Sequence, residues 1–373
     1  MRICIYGYTI GLKGAGASEY ANSLGRWLVN KGNDVTLVTG AWGDGSTVGS
    51  ELNYEFLVSH DSLLARWSQV DFTIQSLVYF RRHKDDFDII HSLSSFPQFG
   101  RVVSWVKKVS RLPVVHTLLA PADRKTFFDS LDGLIGVSKG VLERMQVPRT
   151  FFIPPFVDME RFRSPSPYDW GQSDRVLIGT MGAPYLRKGI RQLVEAIPRV
   201  LKSEPKTDFY LACDLPGIQF VEETRGERDY IDRFIQEHQL QDNVHILGYV
   251  DVPRFLKSLD LFVYAVQTTQ GMIDIPPTLL ECLAAGCGVV TSREGGISEL
   301  IQDRHNGLLV EQKDRHRPEA YAEKIIELLR DRSLLNRIKE NGPPSVERFE
   351  LNRVGQEIVQ CYEKVLVNRE AGA

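Results

Sequence analysis

Apolar residues recur along this chain in two alternating rhythms, short unbroken runs and longer segments in which they return every three or four positions. The first rhythm fits strands buried on both faces, the second fits helices that cover them. Residues 3–8 are such a run. Beyond it Ser18 is placed to cap a helix on which Tyr20, Leu24, Trp27 and Leu28 share one side, closed by Gly32. Asp34–Thr39 then reads as a strand, so the opening stretch is a strand–helix–strand unit with Gly11, Gly14 and Gly16 in its first turn. Further strands are predicted at 88–91, 113–117 and 133–137. Residues 151–175 break the rhythm with Pro154, Pro155, Pro165 and Pro167 and read as a linker. The alternation restarts with strands at 175–180, 208–213, 244–249 and 261–265, and helices at 189–201, around 229–238 and from Val252. A last helix at 352–367 places Val354, Ile358, Cys361 and Val365 on one face. Strand and helix alternating in both halves predicts an α/β protein with parallel sheets covered on two sides.

The densest chemistry lies in residues 271–310. Pro276 and Pro277 open a helix that carries Leu279, Leu280, Leu283 and Ala284 on its apolar side, with Glu281 near its start and Gly286 at its end. A strand at 288–291 leads to Gly295 and Gly296, and these to a helix with Glu299 in its first turn. Backbone N–H groups around Thr278, Leu279 and Leu280 and small residues at two helix starts suit a phosphate and a sugar. Upstream, the strand ending at Thr180 feeds a loop with Arg187 and Lys188 at a helix start, where cations beside backbone N–H groups bind a diphosphate. On the residues alone, a solvated basic turn remains an equal reading.

Composition narrows the field. A length of 373 residues exceeds one ordinary core, and 43% hydrophobic with 25% charged residues is a globular composition. We expect an N-terminal domain over 1–160, a second over 161–350 and a helix over 351–373 that packs back toward the first. A net charge of −3 supplies no field for nucleic acid, so none is expected as a partner. Five scattered cysteines in apolar surroundings read as buried thiols of a reducing compartment. No apolar run reaches the roughly 18 residues of a membrane span, and the expected location is cytoplasmic. The basic amphipathic pattern of 101–111 with Trp105, joined by 77–84, raises peripheral contact with the cytoplasmic face of a membrane as an alternative to an ordinary core-facing helix.

Three stretches, LLECLAAGCGVVTSREGGISELI with NGLLV after it, GAPYLRKG at 182–189 and IPPFVDMERF at 153–162, carry a resemblance that extends over nearly the whole chain. In this order they resemble the retaining glycosyltransferases of family GT4. The resemblance implies the GT-B architecture: two facing Rossmann-like, doubly wound domains with an interdomain cleft. It also implies transfer of a sugar from a UDP- or GDP-sugar to a hydroxyl of a glycan, lipid or small molecule, with no metal and no cofactor beyond the nucleotide-sugar substrate. Lys188 then matches the family's diphosphate lysine, while Ala183 stands where the family has an arginine, for which Arg187 would compensate. Glu281 matches the second glutamate of the family's acidic pair, the one at the nucleotide ribose. The first is absent, since Ile273 occupies its place, and Asp274 beside it is the substitute acid; Asp274 and Glu281 are the catalytic candidates. A turn residue before proline is the competing reading for Asp274.

Tyr249 and Val250 match the position at which relatives cradle the nucleobase, with ordinary rim surface as the equal reading for Tyr249, and Gly16, in the first glycine turn, would approach the diphosphate or the acceptor, a tight turn without ligand being the competing reading. On the acceptor side the candidates are Glu19 and His91, the latter at the end of its predicted strand. Relatives carry a histidine where this chain has Leu119, and His116 reads as a core residue instead. Two rivals remain at this level: a sugar-nucleotide epimerase of the same architecture and a non-catalytic homologue that binds a nucleotide sugar or a partner. A dehydrogenase is disfavoured, because Thr39 and Gly40 stand where an acid would take the ribose.

Overall fold

The computed structural model describes residues 1–11, 16–40, 52–57, 68–96, 98–121, 128–143, 145, 149–171, 174–213 and 221–370. Gly14 and Ala15 of the first glycine turn lie outside them. The chain forms two compact units, one of Met1–Phe156, Gln270–Asp274 and Leu351–Ala373, the other of Val157–Thr269 and Ile275–Glu350.

The first unit is built on strands β1 (Arg2–Gly7), β2 (Asp34–Thr39), β3 (Asn53–Phe56), β4 (Ile89–Ser94), β5 (Val114–Leu118), β6 (Gly133–Gly136) and β7 (Thr150–Phe152). They pair in the order β3-β2-β1-β4-β5-β6-β7, parallel throughout. β4 and β5 are buried along their whole length, which is why they read as runs rather than as alternation. Chain order reverses between β1 and β4, the place where a crevice opens at the carboxyl ends of such a sheet.

Helix Gly16–Asn30 follows β1, and Ser18 lies inside it, its Oγ donating to the carbonyl of Ile10 at 2.7 Å rather than capping. The closing helix Leu351–Glu370 packs on this one. Gly355 makes that possible, because a Cβ there would fall 2.8 Å from the Trp27 ring. A glycine inside a helix costs about 0.5–1 kcal/mol relative to alanine, and the close indole contact offsets it. Trp27 Nε1 also donates to Asn352 Oδ1 at 2.8 Å.

The second unit holds β8 (Val176–Met181), β9 (Thr207–Ala212), β10 (Val244–Leu247), β11 (Leu261–Tyr264), β12 (Gly288–Ser292) and β13 (Leu308–Val310). Their order is β10-β9-β8-β11-β12-β13, again parallel, with the reversal between β8 and β11. Helices Ile190–Ser203 and Pro318–Arg330 pack together over its core, the first through Leu193, Ile197 and Val200, the second through Tyr321, Ile325 and Leu328.

Three sequence expectations shift. The strand expected at 88–91 continues to Ser94, so His91 sits in its middle. β10 stops at Leu247, which leaves Gly248, Tyr249 and Val250 in the following loop. The proline-rich 151–175 includes the end of β7, the helix Glu160–Arg163 and the boundary between units at Phe156 and Val157.

Candidate functional site

In the second unit the functional candidates collect on loops at the carboxyl ends of the strands. β8 runs into Gly182, whose φ of 116° only glycine adopts readily. The chain then makes a single 3₁₀ turn, Leu186–Lys188, closed by Gly189 at φ 71°. Lys188 folds back over the strand end, since a Cβ on Gly182 would lie 2.5 Å from its Nζ. Burial, with the Arg187 charge as a smaller contribution, lowers the Lys188 ammonium to about 8. Arg187 stacks over the Tyr185 ring at 4.4 Å, and its Nη1 is 3.9 Å from Glu223 Oε2. An ammonium depressed by desolvation and by a second cation is one that an incoming anion would restore.

Between β11 and β12 lies helix Pro277–Ala284, with Pro277 at its first position. Leu279 and Leu280 are buried in the core, and the Leu279 N–H already donates to the Pro276 carbonyl at 3.0 Å. These two residues therefore present neither side chain nor, for Leu279, an open N–H to a ligand. Thr278 and Glu281 are half-buried in the first turns of this helix. Tyr249, 53% exposed, and Val250 follow the edge strand β10. Thus Tyr249, Val250, Lys188, Arg187, Thr278 and Glu281 all belong to one unit and stand beyond the carboxyl ends of its strands or on the helix that follows β11.

The first unit distributes its candidates differently. His91 is fully buried, with Nδ1 2.5 Å from Tyr362 Oη and Nε2 2.6 Å from Thr117 Oγ1. Both ring nitrogens are engaged within the core and burial lowers its pKa to about 3, so it is not the acceptor-side contact expected from a shorter strand. His116 is likewise buried, stacked on Phe128, with Nδ1 2.7 Å from Ser92 Oγ; burial holds it at about 3. Leu119 is buried as well. Gly16 begins the first helix, where a Cβ would come 3.3 Å from Ile273, and Glu19 is exposed in its first turn.

Asp274 belongs to the first unit, where it is only 1% exposed. Its N–H donates to the Leu119 carbonyl at 2.8 Å, and its Oδ2 accepts from Ser138 Oγ at 2.6 Å. Ser138 in turn accepts from the Val141 N–H at 3.0 Å, at the start of the short helix Lys139–Glu143. An acid buried and bonded in this way holds a loop in place, a structural role beside the expected one as substitute for the missing glutamate. Sequence reasoning also missed Gln267, which follows β11 and is tied to the Lys188 turn by its N–H donating to the Arg187 carbonyl at 2.7 Å.

Residues 174–331, which include all six strands of the second unit's sheet, match the family model of Glycosyl transferases group 1. Spore coat protein SA of Bacillus subtilis is 26% identical over 48% of this chain and 46% of its own length. The uncharacterized glycosyltransferase MJ1178 of Methanocaldococcus jannaschii is 25% identical over 74% of this chain and 76% of its own. The chain spans about half the length of several other curated relatives it matches, for example 46% and 44%. Among solved structures, Anabaena Alr3699/HepE in complex with UDP and glucose superposes with a TM-score of 0.78 at 16% identity, over 96% of this chain and 98% of that one. The chain has the GT-B fold, and its residues 174–331 form a Glycosyl transferases group 1 domain.

Proposed function

We propose that the protein is a retaining, metal-independent hexosyltransferase of the GT4 type that moves a sugar from a UDP- or GDP-sugar to an acceptor hydroxyl. The observation that carries this reading is the Lys188 turn, a cation folded over the end of β8 at the reversal of strand order, inside the domain that matches the glycosyltransferase model. Ligands of doubly wound sheets lie at that reversal. Lys188, with Arg187, would bind the diphosphate, Glu281 the ribose hydroxyls, the Thr278 backbone one phosphate oxygen, and Tyr249 with Val250 the base. HepE, at 16% identity, is described with UDP and with glucose, which supports a nucleotide-sugar donor here.

In this mechanism the acceptor oxygen bonds to the anomeric carbon on the face from which the diphosphate oxygen departs. The acceptor proton leaves with the diphosphate. Lys188 neutralises charge that grows on the leaving group, and the acceptor is held in position, so no side-chain nucleophile is required. Asp274 enters as a strut of the first unit, not as a catalyst.

Membrane contact is a part of this proposal that rests on the first unit. Helix Phe99–Ser110 exposes Trp105 by 45% between Arg101 and Lys108, and helix Ser68–Arg82 exposes Val70, Ile74 and Val78 ahead of Arg81 and Arg82. The aromatics of 77–84 do not contribute as expected, because Phe80 is buried in the core and Tyr79 stacks on His83. Apolar residues flanked by cations suit an anionic lipid surface.

The test is incubation with a panel of UDP- and GDP-sugars and acceptors, with and without a chelator, reading nucleotide release and product anomer by NMR. Transfer with retained configuration, insensitive to chelator, is expected. An altered donor sugar would indicate an epimerase, and binding without turnover a non-catalytic homologue. Flotation with phosphatidylglycerol vesicles but not with phosphatidylcholine vesicles is expected of the membrane surface; equal flotation or none overturns it.

A further inference from the structure

Gln267 lies three residues beyond β11 and is 8% exposed, yet it bonds the Lys188 turn and the loop that follows β13. Its Nε2 donates to the carbonyls of Ala265 and Arg315, the latter at 2.9 Å, and its Oε1 pairs with His316 Nδ1. Its backbone N–H donates to the Arg187 carbonyl at 2.7 Å, and its own carbonyl accepts from Arg315 Nε at 2.8 Å. Arg315 reaches onward to Glu294, with Nε 3.6 Å from Oε2, and Glu294 directly precedes the Gly295–Gly296 turn after β12. The side-chain amide thus joins the loops that follow β11 and β13, the backbone N–H of the same residue holds the loop after β8, and its carbonyl is linked through Arg315 to the loop after β12.

The direction of these bonds matters. The Arg187 carbonyl belongs to the cation turn, and Gln267 holds it across the reversal between β8 and β11. Gly189 lets the turn sit directly on this segment, since a Cβ there would lie 1.7 Å from the Ala265 carbonyl oxygen and 2.9 Å from Gln267 Nε2. With no side chain between them, a movement of Gln267 passes to Lys188. The amide is chemically required, because its NH₂ serves two carbonyls at once, which neither a carboxylate nor an apolar side chain does.

We propose that Gln267 is a positioning residue that fixes the Lys188 turn against the Glu294–Gly296 turn and thereby sets affinity for the diphosphate of the donor. The inference rests on the donor reading above. Gln267 touches no substrate in this scheme; it acts through Lys188 and through the glycine turn.

The distinguishing measurement compares a nucleoside diphosphate with its nucleoside. UDP, GDP, uridine and guanosine are titrated calorimetrically into wild type, Gln267→Met, Arg315→Met and Lys188→Ala. Gln267→Met is expected to weaken the diphosphate by about tenfold, the size of one lost hydrogen bond's worth of preorganisation, with nucleoside affinity unchanged. Arg315→Met, which keeps the amide and removes the link from the Gln267 carbonyl to Glu294, should show the same split and supplies the readout if Gln267→Met does not fold. Equal weakening of both ligands would mark Gln267 as merely structural and overturn the proposal, as would no weakening of either. If Lys188→Ala splits the two ligands and neither Gln267→Met nor Arg315→Met does, only this inference falls. If Lys188→Ala shows no split, or wild type binds neither diphosphate, the donor reading itself is wrong and the inference falls with it.

Discussion

In the first unit the polar side chains of β4 and β5 and of the loop after β6 are satisfied internally, His91 in the middle of β4 by Tyr362 and Thr117, and Ser138 by Asp274. In the second unit the corresponding strand ends lead to turns that carry Lys188, Arg187 and Glu294, with Glu281 on the helix after β11. Both sheets reverse their order after the same number of strands, so topology offers a crevice to each. What differs is polar bookkeeping at the ends of the strands. A histidine whose two nitrogens are bonded in the core offers nothing to a ligand, while a lysine depressed to about 8 has, among the described residues, no ion pair that would raise it.

The largest expected consequence of this contrast is in acid. His91 and His116 are held neutral at about 3 in the folded first unit and would titrate near 6.5 when unfolded. Between those values the unfolded state binds more protons, so stability falls as pH drops, by about 1 kcal/mol per pH unit for each histidine. Among the described residues the second unit has no fully buried histidine. Hydrogen exchange followed by mass spectrometry from pH 7 to 4 should therefore show the first unit opening before the second; simultaneous opening would break the contrast.

Next in size is Lys188→Ala, which should weaken nucleoside diphosphate binding about 10- to 100-fold, the range of one charge-assisted contact. The melting temperature should not fall, because a partly desolvated cation contributes little to folding. Smaller still is the coupling between Ser138 and Asp274. A double-mutant cycle with Ser138→Ala and Asp274→Ala, read by denaturant unfolding, should return about 1–2 kcal/mol of interaction energy, and donor affinity should survive both changes. A loss of turnover confined to Asp274→Ala, with stability intact, would restore the acid to the reaction. The smallest effect is on pH dependence. Because Lys188 must be protonated to hold the diphosphate, affinity should be flat below about 8 and decline as pH rises through it, and calorimetry in Lys188→Arg should abolish that decline.

The alternation of strands and helices was legible from apolar spacing, and so was the cation turn, because Gly182, Arg187, Lys188 and Gly189 are neighbours in sequence. His91 misled because Ser92 and Ser94 interrupt an apolar run, and polar residues at that point read as a turn; in the fold Ser92 bonds His116 and Ser94 bonds the Phe96 N–H. The fate of Asp274 was illegible for another reason. Its partner Ser138 is 136 residues away, and no local pattern announces such a bond. Gln267 was missed in the same way, since Arg315 lies 48 residues on.

The route of the chain has a bearing on how the first unit closes. That unit draws on Met1–Phe156 and on Leu351–Ala373, whose helix covers Trp27 and supplies Tyr362 to His91. Trp27 and Asn352 are 325 positions apart, and His91 and Tyr362 are 271 apart. Contacts of such separation cost loop-closure entropy before they return any burial, so this seam is the part of the first unit expected to close slowly.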